Sequence, residues 1–190
     1  MPTAQQVYAM LENASLWDTA TQCHELLSAA EIPHALLDGV AVCLHGYQRN
    51  TVDLDLLIRK EDAESVKAAL ERQHFAWHKK EAEFRSPAGI AVQILQAGDR
   101  AGPGSEVTLP DPADERSTTE IEGLPVLTLA RLIETKLACG LGNLRRTHRD
   151  FADVVELIHH RRLGSTFARF LHKSLRPTFR QLVRNARGKP

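Results

Sequence analysis

Cysteine is scarce in this chain. Cys23, Cys43 and Cys139 are odd in number, widely spaced and form no CxxC pair. That argues against a disulfide framework or a cysteine-based zinc site, and predicts a reducing, cytoplasmic setting. Long apolar runs are missing too: none approaches the roughly 20 residues that a membrane-spanning helix needs. The opening segment, MPTAQQVYAMLENA, lacks the basic region followed by an apolar stretch that marks a secretory signal. Neither an internal repeat nor a low-complexity tract is present, and the histidines, including His159-His160, show no metal-ligand spacing with a third partner.

Net charge is absent as well, with 24 basic and 24 acidic residues, but the balance conceals an asymmetry. From Arg161 to Lys189 there are nine Lys or Arg and no Asp or Glu, leaving 15 basic against 24 acidic residues elsewhere. Such a tail can attract RNA phosphates or an acidic partner, or it can solvate a terminal helix pair and neutralise the acidic body in cis. No base-reading motif accompanies it.

What the chain does contain is an ordinary globular composition, 43% hydrophobic and 25% charged over 190 residues. That is enough for one domain with a real core. Helical spacing of Val7, Met10 and Leu11, then of Leu16, Cys23, Leu26 and Leu27, predicts two helices between Ala4 and Ala30, broken near Asn13-Ala14-Ser15. A short strand at 34–37, a small helix at 39–45 and a strand at 52–58 follow. An amphipathic helix is expected over 61–74, then strand candidates at 75–78, 83–86, 90–95 and 118–121. Gly- and Pro-rich loops at 97–105 and 110–117 separate the last of these. After Gly123-Leu-Pro125 the character becomes helical, with Thr128 and Thr147 as expected N-caps of helices at 129–139 and 148–160. Two shorter helices are expected at 165–172 and 177–186. These divisions predict N-terminal helices over 1–31, an α/β core over 32–125 and a helical region with the basic tail over 126–190.

The most informative stretch is Leu37 to Ile58, LDGVAVCLHGYQRNTVDLDLLI. Asp53 and Asp55 stand two residues apart in an apolar run. Strand alternation sends such a pair to one face, where two ionised carboxylates repel, the more so when buried. A divalent cation relieves that repulsion, and magnesium held by one or two carboxylates takes its remaining ligands from water and substrate phosphates. The residues therefore suggest a metal-dependent site for a nucleoside triphosphate.

Gly39, His45-Gly46, Arg49, Thr51, Asp53 and Asp55, in this order and spacing, resemble the nucleotidyltransferase superfamily with a DNA polymerase β-like core. The likeness is to its small prokaryotic members, which are related to toxin–antitoxin and phage-defence systems. The similarity continues in Leu124-Pro-Val-Leu-Thr-Leu-Ala-Arg-Leu-Ile-Glu-Thr-Lys136 and in Arg149-Asp150-Phe-Ala-Asp153, and covers roughly residues 34 to 160. It implies an α/β fold, a short mixed sheet flanked by helices with a helical C-terminal region. It further implies transfer of a nucleoside monophosphate to a hydroxyl, with Asp53 and Asp55 as catalytic groups holding Mg2+ or Mn2+.

Gly39, Arg49 and Lys136 are the nucleotide-binding candidates. Gly39 would let backbone approach phosphate, and Arg49 would pair with phosphate or anchor its loop to a carboxylate. Lys136 would stabilise phosphate charge or bridge to Asp150 or Asp153 of the next helix. His45 is expected to pack or hydrogen-bond within the fold, and Thr51 to fix the turn into the strand.

Two positions depart from the family pattern. Asp38 stands where the first turn usually has Gly or Ser neighbours, and Gln93, in Gly89-Ile-Ala-Val-Gln-Ile-Leu, stands where a third carboxylate is expected. Glutamine is a neutral, poor magnesium ligand and no base, so a catalytically inactive module that binds nucleotide, RNA or a partner protein is the competing expectation.

Overall fold

A computed structural model describes residues 2–187; the last three positions of the basic tail, Lys189 among them, lie outside the described residues. Seven strands form one mixed sheet: β1 (His34–Leu37), β2 (Asp53–Ile58), β3 (Ala76–His78), β4 (Glu83–Arg85), β5 (Ala91–Gln96), β6 (Thr118–Ile121) and β7 (Leu124–Leu127). They lie in the order β3-β4-β5-β2-β1-β7-β6. The pairs β2–β5 and β1–β7 are parallel, the other four antiparallel. This is an α/β architecture of the expected kind.

The central strands β1 and β2 read as near-continuous apolar runs because both of their faces are covered. All four residues of β1 and the last five of β2 are buried. Helix α1 (Ala4–Met10) starts with a reciprocal capping box, in which Thr3 Oγ accepts from the Gln6 amide at 3.2 Å and Gln6 Oε1 from the Thr3 amide at 2.9 Å. The carboxylate of Glu122 adds a further acceptor for the Ala4 amide, at 2.9 Å. Glu122 and Gly123 both have positive φ, the two-residue hairpin geometry that joins β6 to β7.

Helices α2 (Ala14–Ala29), α3 (Asp38–Leu44), α4 (Ala63–Arg72), α5 (Leu129–Gly142), α6 (Thr147–His160) and α7 (Arg176–Arg187) complete the frame. Tyr8, Leu16 and Leu27 from the N-terminal helices, Leu54 and Leu56 from β2, and Leu132, Val154 and Phe179 from the C-terminal helices share one continuous core. The apolar residues at helical spacing thus meet one sheet from several directions.

Local differences from the sequence expectations have simple causes. The predicted helix over 61–74 opens as a 3-10 turn, Lys60–Asp62, before α4 begins. Thr147 lies inside α6 rather than capping it; its hydroxyl donates to the Gly140 carbonyl at 2.6 Å, stitching the α5–α6 connection. The segment expected as a helix over 165–172 is a 3-10 helix, Ser165–Phe170, a form used for short pieces. Strand β7 is hidden in the sequence because Pro125 argues against a strand there.

The loop after β5 lies on α5, and a glycine makes that approach possible. A Cβ on Gly102 would sit 2.3 Å from the Ala138 carbonyl oxygen. Gly102→Ala is expected to lift this loop and cost about 1–3 kcal/mol, measured by urea denaturation alongside faster proteolysis between residues 97 and 117.

Candidate functional site

Strand register places the chemistry. On one side of β2, β5 runs parallel and sets Gln93 beside Asp55; on the other, β1 runs antiparallel and sets Leu37 beside Asp55. The chain turns at Asp38, whose φ is 52°, straight into α3. Asp38, Asp55 and Gln93 therefore line one small cavity of about 90 Å3, lined also by Lys136 and Cys139 of α5 and by Arg146 and Asp150 at the start of α6, and open to solvent where Gln93 is exposed.

Asp55 is 8% exposed, and among the described residues no group donates a hydrogen bond to its carboxylate. Burial first, then the charges of Asp38 and Asp53, push its pKa up to about 7. Asp53 stands nearer solvent and accepts from the Thr51 hydroxyl at 2.8 Å. A buried carboxylate with no donor and a second carboxylate as electrostatic neighbour fits a divalent cation, which supplies the missing positive charge.

A second acidic group has already found its counter-charge. Ligand atoms of Asp38, Asp150 and Asp153 all lie within 4.8 Å of one another. The Lys136 ammonium sits among them, 2.7 Å from Asp153 and 3.1 Å from Asp150, and pairs also with Asp38. Arg49 adds a bidentate contact to Asp153, at 2.7 and 3.0 Å, and lies 3.6 Å from Asp38. Arg146 pairs with Asp38 and stands 3.3 Å from Asp150. Three carboxylates thus meet three cations. Burial alone would raise the Asp38 carboxyl, but Lys136 and then Arg146 overturn this and hold it down at about 2. Burial likewise opposes charge on Lys136, and Asp38, Asp153 and Asp150 together raise its pKa instead.

Of the two readings for Lys136, the structure contains the bridges to Asp150 and Asp153. For Arg49 it contains the carboxylate anchor, which ties the loop before β2 to α6. Gly39 is buried in α3 against Thr51: a Cβ there would meet Thr51 Oγ1 at 2.5 Å. His45 donates from Nε2 to the Leu127 carbonyl at 2.8 Å, joining α3 to the end of β7, as a packing residue would. Sequence reasoning missed Arg146 entirely. It lies in the α5–α6 connection, where no periodicity or motif marks it, and the run Arg145-Arg146-Thr147-His148-Arg149 was its sole trace.

Two substitutions separate the two charge systems. Lys136→Met leaves buried Asp150 and Asp153 and half-buried Asp38 short of a partner and is expected to cost about 3–5 kcal/mol in urea denaturation. Asp55→Asn removes a desolvated charge that lacks donors, so it is expected to stabilise the metal-free protein by roughly 1–3 kcal/mol and to abolish any rise in melting temperature on adding magnesium.

Comparison with known proteins agrees with this fold. The family described as uncharacterised nucleotidyltransferase matches residues 3–187. No curated protein matches the chain by sequence. Among solved structures, an antigenic nucleotidyltransferase-like protein of Paracoccidioides brasiliensis has a TM-score of 0.55 at 15% identity, with 90% of this chain and 87% of that one covered. A Thermotoga maritima protein assigned as a nucleotidyltransferase gives 0.52 at 16% identity, covering 73% and 93%. The antibiotic-resistance factor ANT(2'')-Ia, solved with adenylyl-2''-tobramycin, gives 0.50 at 18% identity, covering 86% and 98%. At these identities the structures share the fold. The family match, which spans nearly the whole chain, goes further: this protein belongs to the nucleotidyltransferases of that uncharacterised family.

Proposed function

We propose that the protein transfers a nucleoside monophosphate from a nucleoside triphosphate to a hydroxyl group, with Mg2+ or Mn2+ held by Asp53 and Asp55. The observation that carries this reading is Asp55, buried beside a second carboxylate with no hydrogen-bond donor, at the end of the cavity. A divalent cation there would neutralise phosphate charge and orient the triphosphate. In the reaction the acceptor oxygen bonds to the α-phosphorus, the bond from that phosphorus to the bridging oxygen breaks, and pyrophosphate leaves. Gln93 can position the acceptor by taking its O–H in a hydrogen bond but cannot remove the proton, which passes to solvent. Lack of a positioned base costs on the order of 10²–10⁴-fold in rate. ANT(2'')-Ia, holding an adenylylated small molecule on the same fold, supports a hydroxyl acceptor of that kind.

A second reading is favoured by one observation, the register that sets neutral Gln93 directly beside Asp55. On that reading the fold is a catalytically inactive module that binds nucleotide, RNA or a partner protein, as a member of a toxin–antitoxin or phage-defence pair would. Arg169 and Arg180 on the C-terminal segment are exposed, and neither has an acidic partner among the described residues. This suits an RNA or acidic partner. Among the described residues no helix is long and apolar enough to cross a membrane, and with three free cysteines a cytoplasmic site of action is our reading.

Incubation with each of four labelled nucleoside triphosphates, Mg2+ or Mn2+ and cell extract tests the first reading. Label transfer that is lost in Asp53→Ala and in chelator supports it, and Gln93→Asp is expected to speed transfer at least tenfold. No transfer by either protein under any of these conditions leaves the binding module.

A further inference from the structure

The cavity around Asp55 is too small for what the family consumes. About 90 Å3 is the liquid volume of roughly three waters, whereas small-molecule sites hold about 300–1,000 Å3. A triphosphate therefore fits inside it only if a wall moves. The three cations beside the cavity are not equally able to move or to bind a new anion.

Lys136 is 3% exposed and spends its three N–H groups on Asp38, Asp150 and Asp153. Arg49 is 13% exposed, with Nε and Nη2 on Asp153 and Nη1 on the Asn50 carbonyl at 3.1 Å. Arg146 differs on each count. Its side chain is 39% exposed, and its contacts to Asp150 are long, 3.3 Å from Nε and 3.5 Å from Nη2. Asp150 Oδ2, its Nε partner, makes no hydrogen bond at all. Nη1 of Arg146 has no partner among the described residues, so the fork that suits planar, bidentate anion recognition is half free.

The strongest contact of Arg146 is to Asp38, and it is arranged so that it can be given up. Arg146 takes Asp38 Oδ2 while Lys136 takes Oδ1. When Arg146 leaves, Asp38 keeps a buried cation and is not orphaned.

We infer that Arg146 is the phosphate-binding side chain of this site, and that its ion pair with Asp38 is a latch that keeps the cavity narrow until a polyphosphate takes the guanidinium. This rests on the nucleoside-triphosphate reading above and adds to it a named residue and a narrowed resting state. The carboxylate of Asp38 stands in for the incoming anion. It explains why an acidic residue occupies a turn where a phosphate-binding site would otherwise exclude one.

Calorimetric titration of the full chain with magnesium and either inorganic tripolyphosphate or ATP tests this without requiring turnover. Arg146→Ala is expected to bind both at least tenfold more weakly, with Arg146→Lys intermediate. Asp38→Asn, which opens the latch while leaving Lys136 two carboxylates, is expected to bind tripolyphosphate at least threefold more tightly. A merely structural Arg146 would predict weakening in both the Arg146 and the Asp38 variants. If Asp38→Asn does not fold, Asp38→Ser supplies the same comparison. Equal affinity of wild type and Arg146→Ala overturns the inference and leaves the nucleotidyl-transfer reading standing. A wild type that binds neither probe overturns both.

Discussion

The buried lysine at the centre of three carboxylates is the interaction on which this structure depends. Lys136 comes from α5, Asp38 from the turn between β1 and α3, and Asp150 and Asp153 from α6. Sheet and helical region therefore meet at one ammonium group. Such a cluster is costly to desolvate, and an equal match of cations to carboxylates is what makes it tolerable. It also makes the junction specific: sliding α5 by one turn would leave several charges unpaired in an apolar surround. Arg49 extends the same logic to the loop entering β2, so the strand that carries Asp53 and Asp55 is held in place by charges that lie outside it.

The two acidic systems lie side by side yet have opposite electrostatic character. Asp38 is held ionised by its cations, and its fixed negative charge is one reason that Asp55, a strand away, resists ionisation. Arg146 and Lys136 of the same cluster oppose that effect, and burial together with the two neighbouring carboxylates prevails over them.

Much of the frame was legible in the sequence, for physical reasons. The period of two in a strand puts Asp53 and Asp55 on one face, and an apolar surround marks that strand as central. The position of Gln93 beside Asp55 followed from the family pattern, and the register bears it out. The charge cluster was half visible: the Lys136 bridges to Asp150 and Asp153 are between consecutive helices, where spacing is informative. The contacts of Asp38 with Lys136 and Arg146 bridge 98 and 108 residues, and no local pattern encodes such a meeting. Gly39 shows a different limit. Its small size has a phosphate reading in sequence, but Thr51 packs where its side chain would be, and only coordinates reveal that neighbour. Strand β7 escaped because proline in a strand contradicts the propensity rule, although β1 and β6 leave it no other place.

The pairing of Gln93 with Asp55 across parallel strands has a consequence for the history of the site. Glutamine and glutamate codons differ by a single base, so a carboxylate at this position is always one mutational step away. Residue 93 is exposed at the cavity, so the register and the covered strands do not depend on its charge, although a carboxylate there would add to the repulsion around Asp55. A single base change is thus enough to place a carboxylate there, and the strands that present it need no rearrangement.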